Sequence, residues 1–177
     1  VQAKEKRRWG GTLLAEMKPK EVNSLIRNLG YRIINAINRV TVVTPHAIVA
    51  GAILNISRDS FSFGQLQAAT GIYFKHLTAQ KVKLADTLAS DYERAFEQVL
   101  DIYCQRKFIE ILPQSKTGSQ AERQYTINEN RRLYLEYYKN NCVAFFIPAA
   151  YTAMAVLEQN TFRFSSSDLH ARYAFWQ

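Results

Sequence analysis

The chain has 177 residues, of which 47% are apolar and 21% are charged, and its formal net charge is +8. This composition is ordinary for a globular protein and excludes a low-complexity chain, and the length is enough for one domain with a real core. Because the chain begins at Val1, we expect it to be processed or excised from a longer protein. Its first residues are charged and lack the apolar stretch of a signal peptide.

The positive charge is concentrated near the N-terminus. Residues 1–39 contain nine Lys or Arg and three Glu, a net charge of +6, whereas the other 138 residues supply only +2. A phospholipid surface, nucleic acid or an acidic protein would each fit this charge, as would a solvated arm without a partner. We interpret residues 1–21 as a basic arm or linker, with four candidate contacts to an anionic surface: Lys4, Lys6, Arg7 and Arg8.

Apolar periodicity predicts four helices before residue 108. The first has apolar residues on one face from Val22 to about Val40. Thr44 and Pro45 fit the N-cap and first position of an almost wholly apolar second helix, which runs to residue 54. A third helix covers about residues 66–77, and Ser90-Asp91 caps a fourth.

The residue pattern changes from helical to strand-like after the fourth predicted helix. Residues 108–112 are rich in aromatic and β-branched side chains, and residues 125–127 fit a returning strand, although the first run also fits the tail of a helix. Helices resume at about residue 128, and the last one starts at Ser167-Asp168. We therefore predict a mainly α domain over residues 22–177, with six to seven helices and a β-hairpin near 108–127. Since the last helix is still running at Gln177, we expect the domain to continue beyond it.

Two uncharged segments of 18 residues, 40–57 and 140–157, are at the margin of membrane-spanning length. Without their polar ends the apolar parts shrink to about 10–14 residues, the length of buried helices. We predict that both are core helices, while an interfacial segment or a span stays open. In the second segment we expect three core side chains beneath a groove whose mouth holds Asn140 and Asn141: Phe145, Phe146 and Met154.

Residues for acyl transfer, metal binding and phosphate loops are not apparent in the sequence. None of the three histidines is followed by an aspartate five residues later, the spacing with which a carboxylate orients imidazole as a general base for acyl transfer to a hydroxyl. There is no glycine-rich phosphate loop and no metal-ligand cluster, so no metal and no cofactor are expected. Cys104 and Cys142 are 38 residues apart in apolar surroundings and are interpreted as reduced core residues.

The positive candidates for binding are grouped in one basic block. Arginine and lysine side chains suit a phosphate, and amides suit hydroxyl groups. The candidates are Arg131, Arg132, Lys139, Asn140 and Asn141. A solvated helix face explains the same pattern. Nearby tyrosines also fit base stacking, and a hairpin after a helix fits a winged-helix nucleic-acid or protein interaction module, but the turn of that hairpin holds only Lys116.

Two stretches carry a resemblance to a known family. Ile37–Ala50, INRVTVVTPHAIVA, resembles the INxVTxVTPxALVA segment of the membrane-associated glycerol-3-phosphate and dihydroxyacetone-phosphate O-acyltransferases. Arg132–Asn141, RLYLEYYKNN, is similar to that family's RLxLxYYKNN block, with Phe145-Phe146 and Pro148 behind it. The family has a histidine just before the Phe-Phe position, where this chain has Ala144, so no imidazole role carries over.

The resemblance implies a helical C-terminal domain of a glycerol-3-phosphate acyltransferase. The parent enzyme would move an acyl group from acyl-CoA or acyl carrier protein to the sn-1 hydroxyl of glycerol 3-phosphate, toward phospholipids. The family's catalytic motifs lie upstream and have no match here, so the segment alone is predicted to be inactive. Its partners would be the catalytic domain of the same polypeptide and an anionic phospholipid surface at the cytoplasmic face of a membrane. Nucleic acid is not expected as a partner.

Overall fold

The structure is a computed structural model that describes residues 18–56, 60–113, 119, 123–158 and 165–176. The predicted surface contacts of the basic arm and Lys116 lie outside these residues. The chain divides into two compact units, residues 1–41 and 42–177. The arm boundary expected near residue 21 stays a prediction.

The first unit contains helix α1, Pro19–Val40. Proline occupies the first helical position, where its missing N–H costs nothing, and the Glu21 carboxylate accepts a hydrogen bond from the Lys18 N–H at 2.9 Å. At the other end the Thr41 N–H donates to the Ile37 carbonyl at 3.0 Å. The helix expected from the apolar periodicity is present, but none of its residues is buried.

Helix α2, Pro45–Asn55, forms the centre of the second unit. The Thr44 hydroxyl caps it by accepting from the Ala47 N–H at 3.3 Å, as the Thr-Pro pair predicts. Residues 47–53 are all buried, so the prediction of a core helix is confirmed here. Three helices surround α2: α3 (Phe63–Ala79), α5 (Tyr92–Gln105) and α6 (Arg132–Lys139).

Side-chain caps also fix the starts of α3 and α5. The Ser62 hydroxyl accepts from the Gln65 N–H at 3.1 Å, while the Gln65 amide oxygen accepts from the Ser62 N–H at 2.9 Å. Asp91 accepts from the Arg94 N–H at 3.0 Å and caps α5, as predicted. A short helix, α4 (Asp86–Ser90), precedes it and was not predicted, because five residues are too few to show a period.

A small antiparallel sheet lies beside these helices. It contains β1 (Phe61–Ser62), β2 (Ile109–Ile111) and β3 (Gln124–Ile127) in the order β1-β3-β2. The predicted hairpin is therefore present as β2 and β3, and β1 is an addition. Strand β1 was not predicted, because two residues are too few to show the alternating pattern of a strand. Its Phe61 ring packs on the Tyr125 ring of β3, with the ring centres 5.9 Å apart.

Helices α7 (Ile147–Leu157) and α8 (Ser166–Trp176) pack together at the C-terminal end. With them the described residues contain eight α-helices, and the prediction of a mainly α domain is confirmed. Among these helices none combines the length and the apolar character required to cross a bilayer.

Candidate functional site

Helix α6 places the predicted basic block on the surface of the second unit. Leu135 is fully buried and holds the helix against α2, and the Cys142 thiol just beyond it donates to the Ala47 carbonyl at 3.5 Å. The remaining positions of α6 are exposed or half-buried. Core packing on one side of the helix therefore presents its charged side to solvent.

The charges of this face form a ladder of alternating sign. Arg132 lies 3.2 Å from the Glu129 carboxylate and 3.8 Å from the Glu136 carboxylate, and Lys139 also forms an ion pair with Glu136. Spacings of three and four residues bring such side chains together on a helix. The two predicted phosphate ligands on this face thus share one carboxylate, and the four groups have no net charge.

The other three candidates lie around this ladder without joining it. The Arg131 guanidinium carbon lies 5.7 Å from the centre of the Tyr134 ring, a cation–π geometry. Asn140 and Asn141 are exposed at the C-terminal end of α6, where their backbone N–H groups donate to Glu136 and Tyr138 carbonyls. The five candidates therefore lie along one edge of the domain and do not converge on a single point.

Lys139 also lines a cleft of about 280 Å³ between α2, α3, α6 and the turn before α7. Its polar lining residues are Asn55 on α2 and Glu136 and Lys139 on α6, and most of the others are apolar or aromatic. The full lining is Gly51, Leu54, Asn55, Tyr73, Glu136, Lys139, Cys142, Val143 and Phe146. Asn140 and Asn141 lie in the chain between the lining residues Lys139 and Cys142 but are not part of the lining, so this cleft differs from the groove predicted from the sequence.

Gly51 keeps the cleft open. A Cβ atom at this position would lie 3.2 Å from the Tyr73 ring and 3.8 Å from the Lys139 side chain. Sequence reasoning missed Gly51, Asn55 and Tyr73 as lining residues. A glycine in the middle of an apolar helix is the signal that was available, since it marks a close approach of another group.

Burial controls the ionisation of the groups around the cleft. It raises the pKa of the Cys142 thiol to about 11, although the nearby Lys139 charge acts in the opposite direction. Burial likewise raises the pKa of Tyr73, with a smaller contribution from Cys142. The Cys104 pKa is raised to about 11, mainly by burial and also by Asp101. Both thiols are free and protonated at neutral pH, as expected of reduced core cysteines.

An aromatic cluster connects α2, α5 and α6 on another side of α2. The His46 ring stacks on Tyr138 at 5.1 Å and contacts Tyr103 at 5.4 Å. The Tyr103 hydroxyl donates to the His46 carbonyl at 2.9 Å. Burial, with a contribution from the Arg106 charge, lowers the pKa of His46. Its Nδ1 atom is buried without a hydrogen-bond partner in the described part of the chain, so the ring packs as a neutral aromatic group.

His76 is held by groups that do not act as an acid–base pair. Its Nε2 lies 2.8 Å from the Gln80 amide nitrogen and 3.4 Å from the Phe145 carbonyl oxygen, and its ring stacks on Phe146 at 5.0 Å. The described residues contain no group of three or more His, Cys, Asp or Glu that could hold a metal ion.

The second uncharged segment, residues 140–157, is mostly not buried, in contrast to the prediction of a core helix. Within residues 142–157 only Cys142 and Ala155 are buried. Phe145 and Phe146 are half-buried at the edge of the core, and Met154 is exposed over 39% of its surface. The expected core position of these three side chains is therefore wrong for Met154 and only partly right for the phenylalanines. An uncharged sequence indicates a surface that avoids water, but it does not say what covers that surface.

These observations define a mainly α domain with a small antiparallel sheet, a charged ladder beside a cleft, and an exposed uncharged helix. The whole chain, residues 1–177, matches the family of the glycerol-3-phosphate acyltransferase C-terminal region, and it belongs to that family. No curated protein and no solved structure matches it significantly. Membership favours the acyltransferase interpretation over the winged-helix alternative.

Proposed function

We propose that this chain is the C-terminal domain of a glycerol-3-phosphate O-acyltransferase and supports a catalytic domain in the same polypeptide. The observation that carries the proposal is the family match over the full 177 residues. The parent reaction transfers an acyl group from acyl-CoA or acyl carrier protein to the sn-1 hydroxyl of glycerol 3-phosphate. His46 and His76 contact aromatic rings, an amide and a carbonyl, which supports a catalytic centre outside this chain.

The exposed surface of α7 supports packing on the catalytic domain. Ile147, Met154 and Leu157 are exposed, and α7 contains no charged residue. Exposed apolar patches of this kind mark interaction sites. Because no cation borders it within α7, this surface offers nothing to a lipid headgroup and is better matched by an apolar protein surface.

The edge of α6 supports a role next to the phosphate substrate. Lys139 stands at the cleft, and Arg131, Arg132, Asn140 and Asn141 extend the same edge. We place this edge toward glycerol 3-phosphate, with the cations attracting the phosphate and the amides available to hydroxyl groups. The basic arm, with Lys4, Lys6, Arg7 and Arg8, would keep the enzyme as a peripheral protein at the cytoplasmic face of the membrane.

The isolated chain is expected to be inactive, since the groups that activate a hydroxyl belong to the catalytic domain. Incubate residues 1–177 with glycerol 3-phosphate and labelled palmitoyl-CoA, with the complete enzyme as the positive control. No lysophosphatidic acid should form above the level without protein. Product formed by the isolated chain, and lost when His46 or His76 is replaced, would show that catalysis lies in this domain.

A further inference from the structure

Helix α1 has an apolar stripe along its full length. At 3.6 residues per turn, eight residues fall within about a third of the helix circumference. They are Val22, Leu25, Ile26, Leu29, Ile33, Ala36, Ile37 and Val40. The large side chains among them are exposed, except for Val22, which is half-buried. A stripe of this width normally faces a core, whereas none of the residues of α1 is buried.

The polar side of α1 is strongly cationic. Lys20, Arg27, Arg32 and Arg39 lie on the helix, with Lys18 at its N-cap, and Glu21 is its one acid. Arg32 and Arg39 follow one border of the stripe, whereas Lys20 and Arg27 lie toward the other. None of the helix cations forms an ion pair with a described residue. They are therefore available to an anionic partner, with Arg32 and Arg39 beside the stripe and Lys20 and Arg27 further around the polar side of the helix.

We propose that α1 lies in the surface of an anionic phospholipid membrane, with its stripe among the acyl chains and its cations at the headgroups. Helices of 20–30 residues with a narrow apolar face and many Lys or Arg residues bind in this way. The long stems of Arg and Lys let the stripe sink while the charges stay in water. The contrast with α7 carries the choice of partner, because α7 is apolar without any charge, whereas α1 combines an apolar side with a cationic side.

The proposal rests on the proposed membrane-associated function but replaces a general electrostatic contact by a defined element. The part of the basic arm that precedes α1 would add attraction without insertion, whereas α1 would insert. The two contributions differ in their response to salt, because screening weakens only the electrostatic part. The apolar part persists, since it depends on the area removed from water.

Flotation with vesicles of phosphatidylglycerol and phosphatidylcholine tests the proposal on the 177-residue chain. Each cation near such a surface is worth about a fivefold change in partition. The combined change of Arg27, Arg32 and Arg39 to Gln should therefore weaken binding about 100-fold. A matched control removes three exposed cations from the second unit, by changing Lys75, Lys83 and Arg94 to Gln, and should leave binding within about fivefold. Equal losses in both triple variants would overturn the proposal, because they would reflect net charge alone.

Insertion is tested by an environment-sensitive dye on a single introduced cysteine. The dye on Ile33→Cys should shift to the blue when vesicles are added, whereas the dye on Ser24→Cys, on the polar side, should not. Changing Leu25, Leu29 and Ile33 to Gln should abolish the binding that persists at high salt. Without a shift at residue 33, α1 would not insert, and loss of activity in the complete enzyme carrying the three Gln changes would then assign the stripe to a protein surface. Flotation and dye fluorescence do not use acyl transfer, so their outcomes are separate from that of the activity test on the isolated chain.

Discussion

At the scale of single residues, the charge that the basic block can offer to a ligand depends on one shared carboxylate. Arg132 and Lys139 both pair with Glu136, so the negative charge of the Glu136 carboxylate reduces the attraction of these two cations for a phosphate. The spacing of three and four residues brings these side chains together on one face of the helix. The sequence pattern predicted neither that Lys139 alone would reach a cleft nor that both asparagines would point to solvent, because these depend on how α6 packs on α2.

Replacing Lys139 by Met in the complete enzyme should lower kcat/KM for glycerol 3-phosphate by about 10–100-fold, the effect of losing a charged hydrogen bond of about 1.5–3 kcal/mol. Replacing Asn140 and Asn141 by Ala should lower it less. Since these side chains are on the surface, the free energy of unfolding should change by no more than about 0.5 kcal/mol. Glu136→Gln should act in the opposite direction and lower KM, because it frees Lys139, whereas Arg132 keeps its ion pair with Glu129.

Lys83→Met, which removes an exposed lysine elsewhere on the second unit, is the control for total charge. The measurement is steady-state kinetics together with a thermal melt of each variant. An early melt of the Lys139 or asparagine variants with unchanged kcat/KM would show that the block is only a helix junction.

At the scale of elements, the aromatic cluster of His46, Tyr103 and Tyr138 joins α2, α5 and α6. Because the His46 pKa is lowered in the folded state, the unfolded chain binds more protons, and the free energy of unfolding rises with pH between the folded pKa and about 6.5. This contribution is complete above pH 6.5 and is lost as the pH falls through the folded pKa. One group adds at most about 1.4 kcal/mol per pH unit, and half-burial keeps His46 below that limit.

Denaturant unfolding from pH 5 to pH 8 should therefore show a positive slope that His46→Phe reduces. Phe retains the ring packing, and the replaced Nδ1 has no hydrogen-bond partner to lose among the described residues. His170→Phe, at an exposed position of α8, is the matched control for the loss of one histidine. The same slope in the wild type and in His46→Phe would mean that His46 titrates alike in both states.

Helix positions were the most predictable feature, whereas burial was the least. The Thr44-Pro45 start of α2 and the Asp91 cap of α5 are local signals, and both are present as predicted. Helices α1 and α7 were also found at their predicted positions, but their apolar sides are exposed. Apolar periodicity predicts that one side of a helix is kept away from water. It does not predict whether the protein core, another domain or a membrane covers that side.

At the scale of the whole molecule, we assign two exposed apolar surfaces to partners of different chemistry. The α1 stripe is flanked by cations and fits an anionic bilayer, whereas the α7 surface is uncharged and fits the catalytic domain. A single enzyme that draws a water-soluble phosphate and an acyl donor to a membrane would use both surfaces at once. The two assignments are independent, because each depends on a different helix.

The α7 surface is tested by placing a charge on it. Met154→Asp and Leu157→Asp should lower the activity of the complete enzyme by at least about tenfold, since an unpaired charge in an apolar interface costs several kcal/mol. The isolated chain should lose no more than about 0.5 kcal/mol of stability, because the two side chains are 39% and 72% exposed in it. Ile72→Asp on α3, where the side chain is 66% exposed, is the matched control and should retain activity. If Ile72→Asp is equally harmful, or if the isolated chain unfolds with either α7 change, then α7 is part of this domain's own structure and the catalytic domain packs elsewhere.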